Sequence, residues 1–184
     1  FMHAWMASVF GDDTAKNAGR VTLNPLKHLD VFGTLLIFIA GIGWAKPVPV
    51  NSSYFATRRI QSIIVSLVGP LSNFVLAFIG FSIIYFLPVN HSFESFLNIF
   101  VSLNVVLGVF NLLPLPPLDG YRIISNLFPT KMQMKLRPLE TYGSIVFLVV
   151  MLTPIGDHTI LPFISNSIGI VINSFYSFYE LFLS

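Results

Sequence analysis

Apolar runs alternate with short polar stretches along the whole chain, and the runs are long enough to set the architecture. Residues 1–10, FMHAWMASVF, read as the tail of a helix with Gly11 as its C-cap. Residues 11–30 are polar and rich in turn formers, which predicts an aqueous loop. Residues 31–45 are apolar but short: as helix they reach about 22 Å, against a hydrocarbon core of about 30 Å. A re-entrant or partly inserted segment is expected there. Residues 46–59, with Pro47, Pro49, Arg58 and Arg59, form a second aqueous loop. Residues 60–87 carry no charge and predict a transmembrane helix, with Gly69-Pro70 inside it as a kink. A tight turn at 88–91 leads into a second span over 93–113, whose only charge is Glu94. Residues 119–137 are aqueous or interfacial. Apolar runs follow at 139–155 and 158–184, the last one spanning or lying in the interface.

The expected fold is therefore an all-α integral membrane protein: a polytopic helical bundle, one domain over 1–184, with a short re-entrant or partly inserted segment. Composition agrees. Of 184 residues, 54% are hydrophobic and 10% charged, against about a quarter charged in soluble domains. All ten Lys and Arg lie within 16–59 and 122–137. Two spans separate these windows, so both lie on one side of the bilayer, which the positive-inside rule makes cytoplasmic. Both flanks of 31–45 are basic, which argues against that segment crossing alone. The net charge of +2 gives no sign of nucleic-acid binding. With no cysteine in the chain, disulfides, zinc ribbons and thiol nucleophiles are excluded. A metal site must then use His, Asp, Glu or carbonyl oxygen.

The stretch Asn111-Leu112-Leu113-Pro114-Leu115-Pro116-Pro117-Leu118-Asp119-Gly120 ends the second span with three prolines and an acid. An aspartate at the edge of hydrocarbon is costly without a partner. Asp119 reads either as a functional group or as the N-cap of a helix over 120–128. His3 lies on an apolar helix and is a core residue or a functional one. Asn73 and Asn111 place amides in or at the end of spans, for interhelical hydrogen bonds or as donors to a polarised carbonyl or oxyanion. His28, His91 and His158 fall in loops and read as solvated or structural.

Three of these segments, taken in order, resemble the site-2 protease family of intramembrane zinc metalloproteases, peptidase family M50, in its compact prokaryotic branch. Phe1-Met2-His3-Ala4-Trp5 is similar to the end of a His-Glu-x-x-His motif. Gly69-Pro70-Leu71-Ser72-Asn73 is similar to its Gly-Pro-x-x-Asn segment. Asn111 to Gly120 is similar to Asn-x-x-Pro-x-x-Pro-x-Asp-Gly. The loop text at 11–30 and Gly43 to Asn51 resembles the same branch. The resemblance implies Zn2+ as cofactor, His3 and Asp119 as metal ligands, and Asn73 and Asn111 as substrate-orienting or oxyanion groups. It also implies a membrane-spanning or membrane-proximal peptide substrate, and a prokaryotic plasma membrane with the site toward the cytoplasm. The first His and the Glu base of that motif would precede Phe1. The expectation is thus an N-terminally truncated member, inactive by itself. The competing readings are a pseudoprotease or scaffold and a transporter-like module; the latter predicts a repeat, which the sequence does not display.

Overall fold

The computed structural model describes residues 1–31, 33–35, 45–151 and 153–183. The segment expected to be re-entrant, 31–45, lies for the most part outside the described residues. The chain forms two compact units, Phe1–Val68 and Gly69–Ser184. Among the described residues the secondary structure is helical, with a lone antiparallel bridge between Leu29 and Ala45.

In the first unit, helix α1 (Met2–Val9) stops at Gly11, which takes φ +94°. Gly11 N–H bonds the Ser8 carbonyl at 3.0 Å and Asp12 N–H the Ala7 carbonyl at 2.9 Å. This pair of bonds is a Schellman ending, which needs a left-handed residue that glycine adopts without steric cost. Helix α2 (Thr14–Asn17) stops the same way at Gly19, φ +66°, with Arg20 N–H on the Ala15 carbonyl at 2.9 Å. Residues 46–50 run without helix or sheet and lead to Asn51, whose side chain caps the 3-10 turn Ser52–Tyr54. Ala7, Phe55 and Val65 form a small apolar core, with Phe10 edge-on to Phe55.

Helix α3 (Arg58–Phe86) contains Pro70 in its interior. Asn90 then caps helix α4 (His91–Asn111), accepting from Phe93 N–H at 2.9 Å. This is the standard use of an asparagine at a helix start. Helix α5 (Asp119–Leu127) follows the proline-rich stretch, and α6 (Thr130–Met151) follows α5. A π-helical turn, Gly156–Ile160, leads into α7 (Leu161–Leu183). Three helical stretches among the described residues are long and apolar enough to cross a membrane: Arg58–Phe86, His91–Asn111 and Gly156–Leu181. They match the expected spans at 60–87 and 93–113, and the last assigns enough length and apolarity to the run at 158–184. The fold is an all-α integral membrane protein.

One helix joins stretches of different polarity. The aqueous stretch 119–137 and the apolar run 139–155 meet at Pro138, yet α6 runs through it. A proline inside a helix removes one i→i−4 bond and kinks it; flanking turns on both sides carry the helix across. In the second unit, α3 and α4 approach closely through glycines. A Cβ at Gly80 would meet Val101 at 2.9 Å, and one at Gly108 would meet Phe74 at 2.6 Å. Phe78 and Phe81 of α3 interlock with Phe175 and Tyr179 of α7. The Tyr179 and Ser82 hydroxyls hydrogen-bond within that cluster.

Candidate metal centre

His3 sits half-buried on α1. Its Nδ1 is 2.7 Å from the backbone carbonyl of Val65 on α3. A carbonyl only accepts, so Nδ1 is the donor, and in the neutral imidazole the lone pair then belongs to Nε2. Metal-ligating histidines are held this way, the second ring nitrogen donating to a carbonyl or carboxylate.

The loop behind α1, expected to be solvated, is instead built around two buried charged side chains. Asp12 is completely buried; Oδ1 accepts Thr14 N–H at 3.0 Å and Oδ2 accepts Asn51 N–H at 2.6 Å. Arg20 is 5% exposed. Its guanidinium donates to the carbonyls of Lys27, Lys46 and Pro47. A buried charge is tolerable only when hydrogen-bonded, and here backbone groups do the work. Neither residue was singled out from the sequence. The available signal was the repeated pattern Gly11-Asp12 and Gly19-Arg20, a left-handed helix ending followed at once by a charge. Asp13 lies beside them on the surface. The Ser8 hydroxyl bond, aided by Lys16, holds its carboxyl below the usual range. His28 bonds the Thr22 carbonyl at 2.8 Å, a structural role, while His91 and His158 are exposed.

Asn73, Asn111 and Asp119 belong to the second unit, where all three are half-buried. Asn111 closes α4 by donating from Nδ2 to the Leu107 carbonyl of its own helix at 2.8 Å. That bond is local, not the interhelical one considered from the sequence. Asp119 is the first residue of α5. The capping position falls on Leu118, and no side-chain cap bond forms there. A carboxylate in the first turn still faces the positive end of the helix. Gly120 is buried behind it, packed on the Leu112 and Leu113 carbonyls. Tyr121 donates its hydroxyl to the Leu136 carbonyl at 2.9 Å and so ties α5 to α6. An apolar cleft of about 290 Å³ opens beside this loop, lined by Phe74, Val109, Leu112, Pro114, Phe163 and Val171. Phe74 and Leu112 are the chain neighbours of Asn73 and Asn111.

Among the described residues no three His, Asp or Glu side chains converge into a metal site. The donor chemistry of His3 fits zinc; a complete ligand set is not assembled from the described residues.

The sequence profile of peptidase family M50 matches residues 88–153, which include Asn111 and Asp119. The chain is 46% identical to a Bacillus subtilis protein named "Putative zinc metalloprotease YwhC", over 97% of this chain and 85% of that one. The chain belongs to peptidase family M50. A Mycolicibacterium smegmatis protein named "Putative zinc metalloprotease Rip2" is 34% identical over 84% of this chain, and its Mycobacterium tuberculosis namesake 30%. The M50 chain spans 62% of the length of each of these mycobacterial proteins. No solved structure gives a significant match. Family membership makes this a metalloprotease-type membrane protein. It also removes the transporter reading, since the similarity runs through nearly the entire chain.

Proposed function

We propose that this M50 chain forms the membrane domain of a zinc-dependent intramembrane endopeptidase of the site-2 type. The observation that supports the reading is the His3 Nδ1–H bond to the Val65 carbonyl, the way metal-ligating histidines are commonly held. His3 and Asp119 are the ligands this chain contributes. Zinc, when bound, supplies Lewis-acid polarisation of the scissile carbonyl and acidifies a water. Asn73 and the remaining hydrogen-bonding capacity of the Asn111 amide orient the substrate backbone. The substrate is a membrane-spanning or membrane-proximal segment that must unwind locally, because a helix in lipid keeps its backbone bonds internal. The clustering of Lys and Arg within 16–59 and 122–137 supports a site toward the cytoplasmic side, and the bacterial relatives support a prokaryotic plasma membrane.

A non-catalytic scaffold is the second reading. Asp119→Ala in the full-length protein separates the two. Loss of both zinc and cleavage supports the protease; full cleavage by this variant refutes the assignment.

A further inference from the structure

Two loop endings in the first unit share one design. Gly11 and Gly19 both adopt left-handed backbone and both terminate a helix. The residue after each, Asp12 and Arg20, occupies the same position relative to its helix end and turns a charged side chain inward. The two act on opposite ends of one segment. Arg20 grips the Lys46 and Pro47 carbonyls, and Asp12 grips the Asn51 N–H. Pro47 lies at the first grip and Pro49 between the two; each fixes its own φ and biases the residue before it to extended backbone. Next to the grips, Leu29 bridges Ala45, and Lys46 N–H bonds the His28 carbonyl at 2.8 Å.

The held segment leads back to the metal ligand. Val50 packs on the small apolar core, Asn51 caps the turn Ser52–Tyr54, and Phe55 is buried against Ala7 and Val65. Ala7 lies on the His3 helix, and Val65 supplies the carbonyl that holds the His3 ring. We infer that Asp12 and Arg20 form a two-point clamp on residues 46–51 that positions His3, acting through Phe55 and Val65. Neither side chain touches the metal; both are positioning residues. The functional half of this inference rests on the proposed zinc site.

Residues 1–184 hold no cysteine, so once any cysteine elsewhere in the full-length protein is replaced, a disulfide reports the clamp directly. Leu29→Cys with Ala45→Cys is introduced into the full-length protein in membranes, and oxidative cross-linking is compared in the parent, Arg20→Gln, Arg20→Lys, Asp12→Ala and Asp12→Asn backgrounds. Zinc affinity is measured in the same proteins without the cysteine pair. Arg20→Gln and Asp12→Ala should cut cross-linking at least fivefold. They should weaken zinc binding about 10–100-fold, the range for groups that orient a metal ligand. Asp12→Asn keeps one acceptor and should fall between Ala and the parent. Arg20→Lys keeps the charge without the fork and should resemble Gln more than Arg. Excess zinc should restore cleavage in these variants, which a merely misfolded protein would not do. Parent-level cross-linking in both Arg20→Gln and Asp12→Ala overturns the clamp. Lost cross-linking with unchanged zinc affinity overturns the positioning role. A parent protein that holds no zinc overturns the zinc reading itself, together with the positioning role that rests on it.

Discussion

The His3 ring donates through Nδ1 to the carbonyl of Val65, a residue 62 positions away in the chain, at 2.7 Å. On the proposed zinc reading the bond takes Nδ1 and leaves Nε2 for the metal, and a single substitution can separate these roles. The asparagine side-chain amide in His3→Asn can reach the Val65 carbonyl but has nothing in place of Nε2. The full-length variant should insert and accumulate normally while retaining at least about tenfold less zinc. Elemental analysis set against membrane abundance checks this.

Gly120 follows Asp119 with no room for a side chain. A Cβ there would overlap the Leu112 carbonyl and lie 2.5 Å from the Leu113 oxygen, both backbone atoms that cannot swing away. Gly120→Ala should destabilise by about 1–3 kcal/mol, seen as a fall of about 2–4 °C per kcal/mol in detergent-solubilised protein. Zinc retention should fall with it, because the same backbone carries Asp119.

Gly108 presses on Phe74, and here the obstacle is a side chain. The contact that a Cβ at Gly108 would make with the Phe74 ring is 2.6 Å. Gly108→Ala should therefore destabilise, and Phe74→Leu should relieve it. A double-mutant cycle should give a coupling of about 0.5–3 kcal/mol between the two positions. Additive effects would show that α3 and α4 do not meet there.

Asp13 sets a pH dependence outside the membrane spans. Its carboxyl is held low chiefly by the Ser8 hydroxyl, with Lys16 adding to the effect. A depressed carboxylate stabilises the fold above the unfolded-state pKa near 4 and loses that contribution as pH falls through the lower folded-state value. Ser8→Ala should then melt below the parent at neutral pH, with the gap closing in acid below about pH 4. A gap that persists unchanged in acid would assign the effect to something other than Asp13.

The apolar framework was legible because it is written in long uncharged runs, and α3 and α4 fall within a few residues of the expected spans. The aqueous or interfacial stretch 119–137 and the apolar run 139–155 share one helix across Pro138, because a proline inside a helix is compatible with a kink. Asp119 was legible as a candidate but not as the first helical residue, since capping is decided by backbone angles at Leu118 rather than by residue type. Asn111 showed the same limit: an amide at a helix end can bond its own helix as readily as a neighbour. The largest gap was the loop at 11–30. Polar composition reports that a segment needs hydrogen bonds, not whether water or backbone supplies them. Asp12 and Arg20 are charged and buried, and only the two preceding glycines hinted that the chain turned them inward.

The span that closes the chain, Gly156–Leu181, has just 11% of its apolar window buried inside the protein. Leu161, Phe163, Ile170 and Leu181 are among its exposed side chains. Among the described residues most of this helix is left uncovered, and in a bilayer acyl chains contact the exposed side chains. Its free energy of folding is a joint property of the chain and the surrounding acyl chains. Melting temperatures for this protein will acquire meaning only alongside a named detergent or lipid, and changing the acyl length should shift them with the covalent structure untouched.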